Sequence, residues 1–331
     1  MSPHSAERGA PHSAEELAAL LGPTARRCRL GIAGDEGIAL APLTDHHLHL
    51  HLVDEHALPA HGIAAAVDLG GDPAHFARRP KQSMPHLEYA GAFLTVPGGY
   101  PSFRSWAPAQ IVDLVTNPSS APGVPGGART CVDEMADAGA AVIKIALNAA
   151  EGRVFDAETL QAVVDAAHRR GLPAVAHVEG DGMTVFALDA GVDVLAHAPF
   201  TERLDDALIT RCVRAGQIWI STLDINDDPA TAVANVTAFV AAGGRILYGT
   251  DLGNGDRPSG LLIDELVLLH EAGVRGPALI ASLTDPWPRA ASDTGVATFV
   301  VGTPPESPEA VPEWLRGARV VPAEELITDE Y

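Results

Sequence analysis

The sequence predicts an α/β fold: a (β/α)8 TIM barrel with a reduced flanking β-structure drawn from the two termini. Eight candidate strands alternate with helical segments over about 250 residues, the span of one such barrel. Several of the strands are short, continuous apolar runs, as strands covered on both faces must be. The rival, a doubly wound open sheet, would carry a Gly-rich dinucleotide turn after its first strand, and none is present.

Residues 1–28 read as a tail ending in a short helix. PHSAE occurs at 3–7 and again at 11–15, and Ser13 and Glu16 stand at capping-box spacing for a helix through Leu21. Residues 29–41, RLGIAGDEGIALA, suit two short strands around a Gly-Asp turn. With 295–322 (ATFVV and ARVVPAEEL) they are the only material for a flanking β-structure. The barrel then occupies 42–294. Its candidate strands are Leu43–Leu50, Ile63–Leu69, Ala92–Val96, Ala141–Leu147, Ala174–Val178, Val192–His197, Ile218–Leu223 and Arg245–Thr250. Asp156 is placed to cap a helix that runs to Arg169–Arg170 and stops at Gly171. A further helix lies between Glu202 and Ala215. Asp228 and Pro229 open one that ends near Gly243, and Ser259 is placed to cap one that ends at Gly273. One connection, 97–128, is too long to be a plain turn. Its Tyr100, Phe103 and Trp106 predict a substrate-covering loop rather than an idle insertion.

The 331 residues carry 43 acidic and 22 basic side chains, a net charge of −21. Such a surface repels phosphate backbones and anionic headgroups, so neither nucleic acid nor a membrane is the expected partner. A small-molecule substrate is, and self-association into a homo-oligomer stays open. No run approaches the ~18 apolar residues of a membrane helix, and the N-terminus lacks the basic start and apolar core of a secretory signal. Cys28, Cys131 and Cys212 have no metal-type spacing, which fits a reduced, cytoplasmic setting.

Histidine is the unusual residue. Five of the 14 fall within 46–56. In the first strand, T-D-H-H-L-H-L-H, alternation puts Asp45, His47 and His49 on one face and His46 on the other. Two imidazoles two residues apart on one face suit a shared cation, although packing alone also produces such pairs. Lys144 is a solitary charge in A-A-V-I-K-I-A-L, so it must be paired, neutral or modified. His177, His197 and Asp251 close the fifth, sixth and eighth strands. Barrel enzymes gather their chemistry at those ends, and the donor set suits Zn2+ or a similar divalent ion.

D-x-H-x-H on the first strand, Lys on the fourth, His on the fifth and sixth and Asp on the eighth resemble the amidohydrolase superfamily over about residues 42–290. V-I-K-I, then A-V-A-H-V-E-G and A-G-V-D-V-L-A-H, are similar to its imidazolonepropionase-like and prolidase-like branches. The resemblance implies two divalent metal ions. His47, His49 and Asp251 would hold the more buried one, and His177 and His197 the other. Lys144, carboxylated by CO2, would bridge them. It also implies that Asp251 acts as base toward a metal-bridged hydroxide. The usual flanking β-sandwich is reduced in this chain. Imidazolonepropionase itself works with one metal, so a bridging Lys144 argues against that exact activity.

The function expected is metal-dependent hydrolysis of a C–N bond in a cyclic amide, imide or peptide-like small molecule. Gly99, Tyr100 and Asn254 are the expected substrate contacts. Arg104 is equally a carboxylate clamp or a solvated loop residue, and His51 lies in phase with the metal pair. The alternatives are lactone or ester hydrolysis at the same site, deamination on one metal with Glu179 shuttling a proton, and a non-enzymatic metal-binding barrel.

Overall fold

The computed structural model describes residues 13–289 and 294–328. The first PHSAE copy, and the Pro and His of the second, lie outside the described residues. The Ser13 capping box forms: the Glu16 carboxylate accepts from the Ser13 N–H at 2.7 Å, and Ser13 Oγ accepts from the Glu16 N–H at 3.2 Å, opening the helix Ala14–Leu21.

The strands are β1 (Arg26–Leu30), β2 (Glu36–Leu40), β3 (Leu43–Leu48), β4 (Ile63–Asp68), β5 (His86–Tyr89), β6 (Phe93–Thr95), β7 (Val112–Leu114), β8 (Ile143–Asn148), β9 (Ala174–Glu179), β10 (Val194–Leu195), β11 (Ile218–Ile220), β12 (Arg245–Leu247), β13 (Val296–Val301), β14 (Ala318–Pro322) and β15 (Leu326–Ile327). They make three sheets. A five-stranded antiparallel sheet, in the order β14-β13-β2-β1-β15, joins the two ends of the chain. A seven-stranded parallel sheet runs β12-β11-β10-β9-β8-β6-β7, and a three-stranded parallel sheet runs β3-β4-β5. The architecture is mixed α/β with parallel strands linked by helices.

Backbone hydrogen bonds tie the two parallel sheets together. His46 N donates to Tyr248 O (3.1 Å), Thr250 N and Asp251 N to His47 O (3.2 and 2.7 Å), and His49 N to Leu252 O (2.8 Å). On the other side Ala141 N, just before β8, donates to Tyr89 O of β5 at 2.8 Å. The approach of β12 to β3 is close enough to require glycine. A Cβ on Gly249 would lie 2.3 Å from Ile220 Cγ2 and 3.1 Å from His47 N.

An apolar cluster of Val67, Val142, Val175, Val194, Ile220 and Leu247 gathers side chains from successive parallel strands. Strand alternation places the polar residues directly above it. Two residues beyond Val142, Val175 and Ile220 come Lys144, His177 and Thr222, and four beyond Leu247 comes Asp251. The cluster is the floor on which the polar site stands. Outside it the helices pack their apolar faces, with Trp219 stacked on Phe239 at 3.8 Å.

Some elements differ from the sequence expectation. β3 ends at Leu48, and a 3-10 turn, Leu50–Leu52, comes after His49. The eighth strand ends at Leu247, so Asp251 stands four residues beyond it. The helix expected from Ser259 begins only at Ile263. The Ser259 hydroxyl instead accepts from Asp54 N at 3.1 Å. The helix in 202–215 is capped by Asp205, whose carboxylate accepts from Leu208 N at 2.8 Å. Asp156 caps Ala157–Arg169 through Thr159 N.

Candidate metal centre

The site begins with Asp45, fully buried between β3 and the chain after β12. Its carboxylate accepts from His47 N (3.0 Å), Thr250 N (3.1 Å) and the Thr250 hydroxyl (2.5 Å). These bonds pin the Asp251 segment against His47. Burial raises the Asp45 pKa to about 7, with the hydrogen bonds opposing.

His47 and His49 leave this region with fixed tautomers. His47 Nδ1 donates to Ala196 O at 2.8 Å, and His49 Nδ1 donates to Gly70 O at 3.2 Å. A carbonyl only accepts, so Nδ1 carries a proton in both rings, and in the neutral form of each Nε2 is bare. Asp251 Oδ1 lies 3.1 Å from each Nε2. Asp251 reaches this place through a left-handed backbone, φ 53°, which aspartate tolerates better than most residues. Its Oδ2 accepts from Asn254 Nδ2 at 3.0 Å.

His47 Nε2 and Asp251 Oδ1 are both buried, and neither makes an aligned hydrogen bond. Two lone-pair atoms facing each other at 3.1 Å repel unless something positive lies between them. A divalent cation fits that requirement, and the imidazole–carboxylate donor set suits one. Burial holds the pKa of His47 well below its ordinary value, with the Lys144 charge adding to it. Burial also lowers that of His197, reinforced by His47 and His177. Neutral imidazoles are the form that binds metal. At His49, burial works downward but the Asp251 carboxylate outweighs it, and the pKa is raised. For Asp251 itself burial works upward, and the imidazoles of His47 and His49 outweigh it, holding the carboxylate well below its usual range.

Donor atoms of His47, His197 and Asp251 lie within 4.8 Å of one another. The His197 ring centre is 4.7 Å from that of His47 and 4.8 Å from that of His177. Its Nδ1 is 2.9 Å from the Thr222 hydroxyl. His177 Nε2 is 3.1 Å from Glu179 Oε2, which also accepts from Asn148 Nδ2 at 2.6 Å. Lys144 is buried with no salt-bridge partner among the described residues, its Nζ 5.7 Å from the Phe93 ring centre. Burial lowers its pKa to about 7 against the opposing pull of Asp251 and Asp68.

These groups open into a cavity of about 390 Å3. His47, His49, Lys144, His177, His197 and Asp251 all line it, as do Tyr100, Arg104 and Asn254. Gly99 does not. It is packed beneath, where a Cβ would meet Thr95 Oγ1 at 2.4 Å. His51 also stays outside the lining, because the 3-10 turn breaks the strand phase after His49. His46 points away from the cavity and bonds to Tyr248 O and Asp285 O. Arg104 is ion-paired with Glu151 across the mouth. The long loop supplies Tyr100 and Trp106 to the wall, while Phe103 is exposed. Tyr100 stacks on His177 at 5.2 Å, and burial, aided by Asp251, raises its pKa.

Sequence reasoning missed Phe93, Asn148, Glu151, Phe200, Ile225 and Asn226 on the wall. Asn148 was findable, since it sits four residues beyond Lys144 on the same strand face. The loop residues carry no such signal.

No protein-family model and no curated sequence matches the chain. Solved structures do. A Xaa-Pro dipeptidase with bound methionine in the active site superposes with a TM-score of 0.69 at 19% identity, over 88% of this chain and 87% of that one. The chain shares the amidohydrolase fold. A protein described as an amidohydrolase gives 0.66 at 18% identity, over 88% and 87%. Molinate hydrolase gives 0.62 at 16% identity, over 87% and 83%. Among the described residues, no helix is long and apolar enough to cross a membrane.

Proposed function

We propose that this chain is an amidohydrolase-type enzyme that hydrolyses a C–N bond in a cyclic amide, imide or peptide-like small molecule. The observation that carries the reading is the pair of buried, unpartnered atoms, His47 Nε2 and Asp251 Oδ1, facing each other with a donor nitrogen of His197 within 4.8 Å. The neighbouring folds belong to enzymes that include a dipeptidase, molinate hydrolase and phenylurea hydrolase B.

His47, His49 and Asp251 would hold one divalent cation, of which Zn2+ is the best match to the donors, and His177 and His197 a second, with carboxylated Lys144 a donor shared by both. Bound there, such cations supply Lewis acidity and lower the pKa of water. The rest is the work of the chain. Asp251, held ionised, accepts the proton of the attacking water and returns it to the leaving nitrogen. Asn254 fixes the Asp251 carboxylate through Oδ2. A lysine with its pKa near 7 is substantially a free amine at neutral pH. That amine attacks the carbon of CO2, releases a proton and becomes a carbamate, adding an anionic donor. Phe93, Tyr100, Trp106 and Phe200 exclude water and take the apolar part of the substrate.

The same reading makes the two parallel sheets the ring of a (β/α)8 barrel, supported by the bonds between β3 and 248–252. It divides the chain into a tail (1–28), a flanking β-structure (29–41 with 295–322) and the barrel (42–294). The buried thiols of Cys131 and Cys212 suit a cytoplasmic setting.

One observation favours a second reading. Glu179 bonds His177 within the cavity lining, where it is placed to shuttle a proton in a single-metal deamination. Turnover of a panel of dipeptides, N-acyl amino acids, cyclic imides, lactones and aminopurines decides. Amide cleavage that stops on chelation and returns with Zn2+ supports the proposal. Ammonia release on one ion per chain supports the second reading.

A further inference from the structure

Thr222 lies two residues beyond β11 and is buried, with φ 44°. A β-branched residue in the left-handed region is strained, because both branches crowd the backbone. Such strain persists where the surroundings over-determine it, and it clusters at functional sites. Two hydrogen bonds fix the backbone here. Thr222 N donates to Gly249 O at 3.0 Å, and Asn226 Nδ2 donates to Thr222 O at 3.3 Å. The result puts Thr222 Oγ1 2.9 Å from His197 Nδ1.

The imidazoles of the centre are held in different ways. His47 and His49 each face a carbonyl, which dictates Nδ1–H and, in the neutral ring, a bare Nε2. His197 faces a hydroxyl, which can accept or donate. Only when Oγ1 accepts from Nδ1–H is His197 Nε2 left without a proton for a cation. We propose that Thr222 is a positioning residue: its strained backbone places Oγ1 so that His197 presents a bare Nε2 to the site. This rests on the reading of His197 as a metal ligand.

The variants T222V and T222S separate hydrogen bonding from packing, since valine keeps the shape and serine keeps the hydroxyl. Zn2+ competition titration of the full chain is the first readout. T222V is expected to lose about 10–100-fold in affinity at one site, the usual consequence of removing a ligand's hydrogen-bond partner. T222S is expected to titrate like the wild type. The second readout is the nitrogen-15 tautomer signal of His197 in metal-free protein, assigned with His197→Gln. Nδ1–H in wild type and T222S, and its loss in T222V, is expected. T222G should melt no lower than T222A, because only glycine relieves the φ strain. A T222V protein with wild-type affinity and an unchanged His197 tautomer overturns the proposal. A wild type that takes up no Zn2+ overturns the metal reading instead, and the tautomer signal still judges Thr222.

Discussion

Asp251 combines a left-handed backbone, two imidazole contacts and a carboxylate held ionised. A helix-cap role would make its loss worth about 1 kcal/mol of stability with little kinetic effect. The catalytic role predicts the reverse. Asp251→Asn keeps the shape but accepts no proton, so kcat should fall by about 100-fold or more, with metal content only partly reduced. Measuring melting temperature, metal and kcat on one preparation decides, and a near-normal kcat removes Asp251 from the chemistry. Lys144 makes an independent test. Lys144→Ala should lose one of two bound ions and most activity while the far-ultraviolet circular dichroism stays native. Unchanged stoichiometry with full activity would exclude a bridging role.

At the scale of elements, strand-tip residues were legible because period-two alternation puts Lys144 above Val142 and His177 above Val175 whatever the loops do. His51 leaves that phase for the converse reason. Strand alternation stops where Leu50–Leu52 forms a 3-10 turn, and nothing in L-H-L marks that change. β5 and β7 escaped notice because HLEY and VDL are short and lack a continuous apolar run. The Ser259 cap failed because the chain from 253 to 262 is a loop tied down by Arg257, which pairs with Asp224. The long loop after β6 carries its own test. Tyr100→Ala removes the ring stacked on His177. It should raise KM or lower kcat without changing metal content. Kinetics on the true substrate that survive removal of 103–125 would show the loop to be idle.

At the scale of the whole molecule, a buried acid away from the metal donors links stability to pH. Glu265 is fully buried, accepts from Asp224 N at 2.7 Å, and has its pKa raised by burial to about 7, with the Ser221 hydrogen bond opposing. The folded state keeps this proton where the unfolded chain has lost it. Stability from this group is therefore complete below the unfolded value of 4.5 and is lost as pH rises toward 7. The loss is on the order of 3 kcal/mol. Glu265→Gln should melt progressively higher relative to wild type between pH 5 and pH 8. An offset independent of pH would show that the carboxyl is ionised throughout.

The claim on which the functional reading depends is that the convergent imidazoles and Asp251 are a metal centre. Its most direct test is elemental analysis of the purified chain, grown with Zn2+ and beside a His47→Ala/His49→Ala double variant. Two divalent ions per wild-type chain, with the count falling in a folded double variant, is the expected result. A wild-type chain that carries no divalent ion, and binds none on titration, would contradict it.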